Sequence, residues 1–328
     1  MRELTLKLVN WPARGTFRIS HGALTEFETV QIQISEKNKI GWAECRPYAR
    51  YGETAQSVIS QIRNIETEIV NGLDIENLQF ALPAGAARNL IDCALWDLEA
   101  KRTKQSIWSL TGQDCSSPVQ TAFTLSIDRI DRMVDQALKA QNFSLLKVKI
   151  NGVNGLKACE AVLRARPDAR LIIDANEALK SNELEHLYKI EAKDRIALIE
   201  QPLKSGEDFK TGLNPDAGLV FCADESIHNS EDLKKVWDAG YRAVNIKLDK
   251  TGGLTEAIRT FDLAEQMNFK IMAGCMVGSS LALAPMTVLM GRADFVDLDG
   301  PLLLSKDVPN PIHYENGYVY PTYEALWG

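Results

Sequence analysis

The run Leu145-Leu146-Lys147-Val148-Lys149-Ile150 decides the fold. It reads as a strand whose successive side chains face opposite ways. Leu146, Val148 and Ile150 then share one face, suited to packing on helices, and Lys147 and Lys149 share the other. An ammonium buried without a partner costs several kcal/mol. The two lysines therefore need carboxylates brought from elsewhere in the chain, or a chemical task.

Working outward, seven more apolar runs alternate with polar, helix-like stretches. They are Val119–Leu125 before it and Arg170–Asn176, Ile196–Pro202, Leu219–Ser226, Ala243–Lys250, Lys270–Met276 and Phe295–Pro301 after it. Strands alternating with helices imply right-handed βαβ units and a parallel sheet. Eight such units suit a closed (β/α)8 TIM-type barrel, an α/β fold.

Strands of such a barrel are covered on both faces and should be almost wholly apolar. Charges interrupt these runs near their C-terminal ends, at Lys149, Asp174, Glu200, Asp224, Lys247, Asp297 and Asp299. The first five are spaced 174 − 149 = 25, 200 − 174 = 26, 224 − 200 = 24 and 247 − 224 = 23 residues apart. One charge per βα unit, always at the same strand end, places them on the rim that holds the active site in this fold.

Asp174, Glu200 and Asp224 come from three consecutive strands, a set of hard oxygen donors suited to Mg²⁺, one per subunit. Zinc is disfavoured, since His21, His186, His228 and His313 form no strand-end cluster. Strands two and six lie opposite each other in a ring of eight, so Lys149 and Lys247 face across the mouth. A substrate carboxylate on the metal would set its α-carbon between the two amines. One lysine could then remove the α-proton and the other return it to the opposite face. Lysine serves as a base near neutral pH when its pKa is lowered, and Lys147 and the cation are expected to push Lys149 that way. Strand eight lies opposite strand four, and its Asp297 and Asp299 suit a substrate ammonium group. A molecule with a carboxylate at one end and an ammonium at the other has the reach of a dipeptide.

The first third reads differently. Thr29–Ser35 alternates around Val30, Ile32 and Ile34 as a half-buried strand, and Trp42–Cys45 extends that sheet. Helices are expected from about 54 to 71 and from about 84 to 103. The small Ala86, Ala87 and Ala94 of the second allow close packing. The tail after about Ser305 is expected to return to this unit. The divisions are thus an α+β capping domain over 1–116, the barrel over 117–305 and the tail over 306–328.

The 328 residues are 45% hydrophobic, enough for a large core. The net charge of −7 and the lack of a basic run argue against nucleic-acid or anionic-membrane partners. The six cysteines are scattered without a C-x-x-C pair and suit reduced, mostly buried thiols in a cytoplasmic protein. No stretch reads as a signal peptide or is long enough for a membrane span. The chain is compatible with a homo-oligomer, with no symmetry specified.

These motifs resemble the muconate-lactonizing branch of the enolase superfamily. The resemblance rests on Leu146-Lys147-Val148-Lys149, Asp174-Ala175-Asn176, Glu200-Gln201-Pro202, Ala223-Asp224-Glu225-Ser226 and Asn245-Ile246-Lys247-Leu248-Asp249-Lys250-Thr251-Gly252-Gly253. It implies a capping domain, Lys149 and Lys247 as the two bases, and Asn176, Glu225 and Asp249 as supporting groups. Within the branch the chain is most similar to dipeptide epimerases of the L-Ala-D/L-Glu type. That similarity rests on Pro47-Tyr48 to Glu53, Pro83 to Asn89, Gly274-Cys275-Met276 and Asp297 to Pro301. It implies that Asp297 and Asp299 hold the α-ammonium. Lys147, Thr124, Cys275, Met276 and a mobile loop over about 15–26 would also contact substrate.

The chain departs from that pattern at Leu24, where an arginine is expected, and at His21. An apolar contact at Leu24 favours an apolar C-terminal residue. The expected substrate is therefore L-Ala-D/L-Glu or a related, hydrophobic dipeptide. N-acylamino acid racemase, o-succinylbenzoate synthase and muconate cycloisomerase share the lysine–metal set, but Asp297 and Asp299 do not suit their substrates. A Schiff-base aldolase using Lys247 would leave the three carboxylates unexplained. Thr251-Gly252-Gly253 reads as a tight turn rather than a phosphate loop.

Overall fold

The computed structural model describes residues 2–19, 22–114, 117–190 and 192–328. His21 and Cys115 fall outside them. The N-terminal unit opens with an antiparallel sheet of β1 (Glu3–Ile19), β2 (Gly22–Glu36) and β3 (Lys39–Cys45). Val30, Ile32 and Ile34 of β2 are fully buried, as the alternation implies. Lys37 and Asn38 join β2 to β3 with φ of 47° and 64°, the left-handed pair that a two-residue hairpin turn requires. The segment expected as a loop is drawn into the hairpin: Phe17 pairs with Leu24 and Arg18 with Ala23.

The helix Ala86–Thr103 lies against this sheet. Gly41 makes the approach feasible, because a β-carbon there would stand 2.1 Å from the carbonyl oxygen of Ala94. Ala86 and Ala94 on the helix are fully buried. The expected 54–71 helix is two shorter ones, Ala55–Asn64 and Glu66–Val70, with Ile65 between them.

Eight parallel strands form the barrel in chain order: β5 (Phe123–Leu125), β6 (Leu145–Lys149), β7 (Arg170–Asp174), β8 (Ile196–Glu200), β9 (Phe221–Ala223), β10 (Ala243–Ile246), β11 (Lys270–Gly274) and β12 (Phe295–Asp297). The seam between β12 and β5 is bridged by Ala122 N–H to the Val296 carbonyl at 2.8 Å and by Leu298 N–H to Thr121 Oγ1 at 3.0 Å. Leu146, Val148 and Ile150 pack in the outer core with the helices. Each such buried side chain contributes roughly 1.5–3 kcal/mol relative to exposure. Inside, Leu145, Ile172, Leu198, Cys222, Ala243, Met272 and Phe295 close the barrel floor below the charged rim.

One boundary needs correcting. Val119–Gln120 is not the start of the first barrel strand. It forms β4 and pairs with the tail strand β14 (Tyr318–Val319), itself paired with β13 (Tyr314–Glu315). Val119, Thr121, Phe123 and Leu125 continue one alternation, which conceals the change of sheet.

The cap and barrel interlock. Arg88 donates to the carbonyls of Thr251 at 2.6 Å and Gly252 at 3.2 Å, and Asn89 donates to Asp249 at 2.9 Å. A β-carbon on Gly253 would collide with Asp92, at 2.4 Å. The Thr251-Gly252-Gly253 turn is thus filled by the cap helix. The tail returns to the cap: Trp327 is fully buried and its indole donates to the Cys93 carbonyl at 3.1 Å. Among the described residues no helix is long and apolar enough to cross a membrane.

Candidate active site

The strand ends bring the charged residues into one network. Lys149 Nζ donates to Asp174 Oδ2 at 2.6 Å and to Asn176 Oδ1 at 3.0 Å. Lys247 Nζ donates to Asp224 Oδ2 at 2.6 Å. Lys147 Nζ lies between three carboxylates: 2.7 Å from Asp297, 2.8 Å from Glu200 and 3.2 Å from Asp174. β6 and β10 are four strands apart in the ring, as are β8 and β12. The lysine pair and the Glu200–Asp297 pair therefore oppose each other as the ring arithmetic requires.

Metal donors fit here in chemistry, though they do not stand as a ready cage. Among the described residues no group of three Asp, Glu, His or Cys side chains converges on one point. Instead, the Lys147 ammonium is the cation shared by Asp174 and Glu200. Glu200 Oε2 is 2.8 Å from it yet accepts no properly angled hydrogen bond, and Glu225 Oε2 is likewise buried without a donor. Buried anionic oxygens short of donors, in an all-oxygen set, suit a hard cation.

The supporting groups fix these carboxylates. Asn245 donates to Glu200 Oε1 at 2.8 Å. Gln201 Oε1 accepts from the backbone N–H of Asp224 at 2.9 Å, tying the end of β8 to the end of β9. Asn176 donates to Glu225 at 3.2 Å. Asn176 and Gln201 have φ of 40° and 34°, backbone strain placed just beyond two of the carboxylate-bearing strand ends. Lys250 Nζ donates to Asp224 Oδ1 at 2.6 Å, giving that carboxylate a second ammonium.

Electrostatics divides the carboxylates. Burial works to raise Asp174, but Lys149 and Lys147 outweigh it and bring it down to about 2. Burial and the neighbouring Asp174 push Glu200 up to about 7, and burial with Asp224 pushes Glu225 up to about 8. Lys247 and Lys147 are drawn upward by their carboxylate neighbours. Burial pulls both down, but Asp224 raises Lys247 and Asp297 with Glu200 raises Lys147, and the net direction is upward. Attraction from carboxylates within 3 Å exceeds the repulsion between lysines.

On β12, Asp299 Oδ2 accepts the Thr124 backbone N–H at 2.6 Å. Burial and Asp297 raise Asp299 to about 7. Asp297 Oδ1 is buried with no hydrogen-bond partner. Lys147, Lys149, Asp224, Glu225, Asn176, Lys247, Thr124, Cys275, Met276, Asp297, Asp299 and Leu24 all line one cavity of about 630 Å³, open mouth included. Asp174 and Glu200 stand just behind that wall. Asp249 is not a wall residue; it receives Asn89 and the Arg46 backbone N–H at 3.1 Å, so it binds cap to barrel. The cap contributes Phe17, Arg46, Tyr48 and Tyr51 to the cavity. Sequence reasoning missed Arg46, Lys250, Asn245 and Gln201 as individual site residues. Only the motifs that contain the last three offered a signal.

Residues 1–112 match the family described as Mandelate racemase / muconate lactonizing enzyme, N-terminal domain, and residues 129–324 match Enolase C-terminal domain-like. The chain belongs to the enolase superfamily, in the mandelate racemase and muconate-lactonizing branch. It is 40% identical to an L-Ala-D/L-Glu epimerase of Escherichia coli, over 98% of this chain and 100% of that one. It is equally 40% identical to an N-acetyl-D-glutamate racemase of a Pseudoalteromonas species, over 91% and 95%. A crystal structure of an enolase family member from Agrobacterium tumefaciens with homology to dipeptide epimerases superposes with a TM-score of 0.95 at 40% identity, covering all of both chains. That protein carries bound sodium and L-Ala-L-Glu.

Proposed function

We propose that this enzyme is a dipeptide epimerase, an isomerase that inverts the α-carbon of the C-terminal residue by two-base 1,1-proton transfer. The observation that carries the reading is the opposition of Lys149 and Lys247 across a cavity whose third side bears Asp297 and Asp299. Asp174, Glu200 and Asp224 would hold one Mg²⁺. When bound, it supplies Lewis-acid stabilisation of the negative charge that gathers on the substrate carboxylate as the α-proton leaves.

The remaining work falls to side chains. One lysine, as the neutral amine, takes the α-proton onto Nζ. The other, as the ammonium, gives a proton to the opposite face, and the charges of the two lysines are exchanged. The reverse reaction uses them in the opposite order. Lys147, gripped by three carboxylates, stays charged and adds positive potential beside the substrate carboxylate. Asp299, oriented by the Thr124 N–H, and the unpartnered Oδ1 of Asp297 receive the substrate ammonium. The ammonium site favours a dipeptide over an N-acylamino acid, which has no cation to place there. It also argues against an assignment to the racemase relative's substrate.

The test is mass spectrometry of a mixed L,L-dipeptide library, with N-acetylamino acids added, incubated in D₂O with Mg²⁺. One deuteron gained at the α-carbon of C-terminal residues, and lost after chelation, is expected. Labelling confined to the N-acetylamino acids would replace this reading by the racemase one.

A further inference from the structure

Arg46 follows directly on β3 and lines the cavity beside Phe17, Leu24 and Val277. Its backbone is fixed by the 3.1 Å hydrogen bond to Asp249, two residues past Lys247. The backbone from which the side chain springs is thus tied to the turn that carries one of the proposed bases. Its guanidinium lies 4.6 Å over the Phe27 ring and 5.8 Å from that of Tyr48. Those contacts are to aromatic faces. Among the described residues the guanidinium gives no hydrogen bond and forms no ion pair within 4 Å. Arg50, by contrast, forks onto Glu177 at 2.7 Å, and Arg88 is spent on backbone carbonyls.

A half-buried guanidinium with open donors, held in place by ring stacking, is prepared for an anion that comes with the ligand. The α-carboxylate already has its place at the strand-end network. That leaves the cap wall of Phe17, Leu24, Arg46, Tyr48 and Tyr51 for the substituent on the α-carbon. We propose that Arg46 is a specificity residue that receives a carboxylate on the side chain of the residue being inverted. The preferred C-terminal residue is then acidic, with Arg46 supplying the charge that Leu24 does not. This inference rests on the epimerase reading. It also departs from the expectation that a leucine at position 24 favours an apolar C-terminal residue. Leu24, Phe17 and Val277 would instead pack on the methylenes of an acidic side chain.

The test compares kcat/KM for L-Ala-L-Glu, L-Ala-L-Gln and L-Ala-L-Met in the wild type, Arg46→Met and Arg46→Lys, read by α-deuteration. The wild type should favour Glu over Met. In Arg46→Met the Glu-to-Met ratio should fall roughly 10–100-fold, the worth of one or two charge-assisted hydrogen bonds. Arg46→Lys should restore part of it. An equal loss on all three substrates, or a wild type that turns over Met as fast as Glu, would overturn the proposal. If no dipeptide is labelled, the epimerase reading fails separately. N-acetylglutamate against N-acetylmethionine then asks the same of Arg46: an Arg46-dependent preference for the acid keeps the proposal, and its absence, or no labelling of either, removes it.

Discussion

Lys149 and Lys247, four strands apart in the ring, are held by matching 2.6 Å hydrogen bonds to aspartates on the strands between them, Asp174 and Asp224. Each amine is thereby fixed toward the cavity from its own side. Lys149→Ala and Lys247→Ala should each reduce epimerisation by about 10²–10⁴-fold, the usual worth of a general acid or base. Solvent-deuteron uptake should persist from one epimer in one variant and from the other epimer in the second. Undiminished uptake from both epimers in either variant would remove the two-base scheme.

Asp299 tests the proposed ammonium site with less disturbance than Asp297, which also holds Lys147. Asp299→Asn should raise KM for a dipeptide by roughly 10–100-fold, the loss of a charge-assisted hydrogen bond. Turnover of any N-acetylated substrate should change far less. Equal losses on both would assign Asp299 to scaffolding through Thr124.

Gly274 is irreplaceable for a local reason. A β-carbon there would stand 2.0 Å from Oδ1 of Asn245, whose amide steers Glu200. Gly274→Ala should displace Asn245 and weaken Mg²⁺ binding by about 10–100-fold, as loss of a ligand-orienting partner does. The readout is the Mg²⁺ concentration that produces half of the thermal stabilisation. An unchanged midpoint would mean that Glu200 is held without Asn245.

Much of this was legible because charge is so improbable in a covered parallel strand. Lys149, Asp174, Glu200, Asp224 and Lys247 stand out against apolar neighbours, and their near-constant spacing reports the βα repeat. The first strand was less legible. β1 alternates Leu4, Leu6 and Leu8 with polar residues before Pro12 and Gly15 interrupt the pattern, and β4 lies inside a longer alternation. Arg46 was invisible for another reason. It lies beyond a cap strand, and its place in the cavity depends on how the cap docks on the barrel. The upward shift at Lys247 was also beyond sequence, since it turns on an ion-pair distance rather than on residue order.

Asp92 provides a pH signature remote from the cavity. It accepts from Thr255 Oγ1 at 2.6 Å, the Thr255 N–H at 3.1 Å and Gln79 at 3.0 Å, yet burial raises its pKa to about 6. Between the ordinary aspartate value near 4 and 6 the folded state binds the extra proton, so its contribution to stability falls as pH rises through that window. Asp92→Asn removes this dependence, and its lost hydrogen bonds act as a constant offset. The variant's stability relative to wild type should therefore improve from pH 4.5 to pH 7, by roughly 2 kcal/mol. A flat difference in thermal midpoints would show that Asp92 is charged throughout.

The cavity draws its floor from residues after 120 and its roof from Phe17, Leu24, Arg46, Tyr48 and Tyr51. The proposed proton-moving lysines and the surface that would choose a side chain are thus written in different stretches of the gene. A duplicated copy could drift to new substrates through a few codons near its 5′ end. Its catalytic half could meanwhile remain under purifying selection. Diversity among such enzymes would then collect in the roof, where a change alters what is admitted and leaves the reaction itself intact.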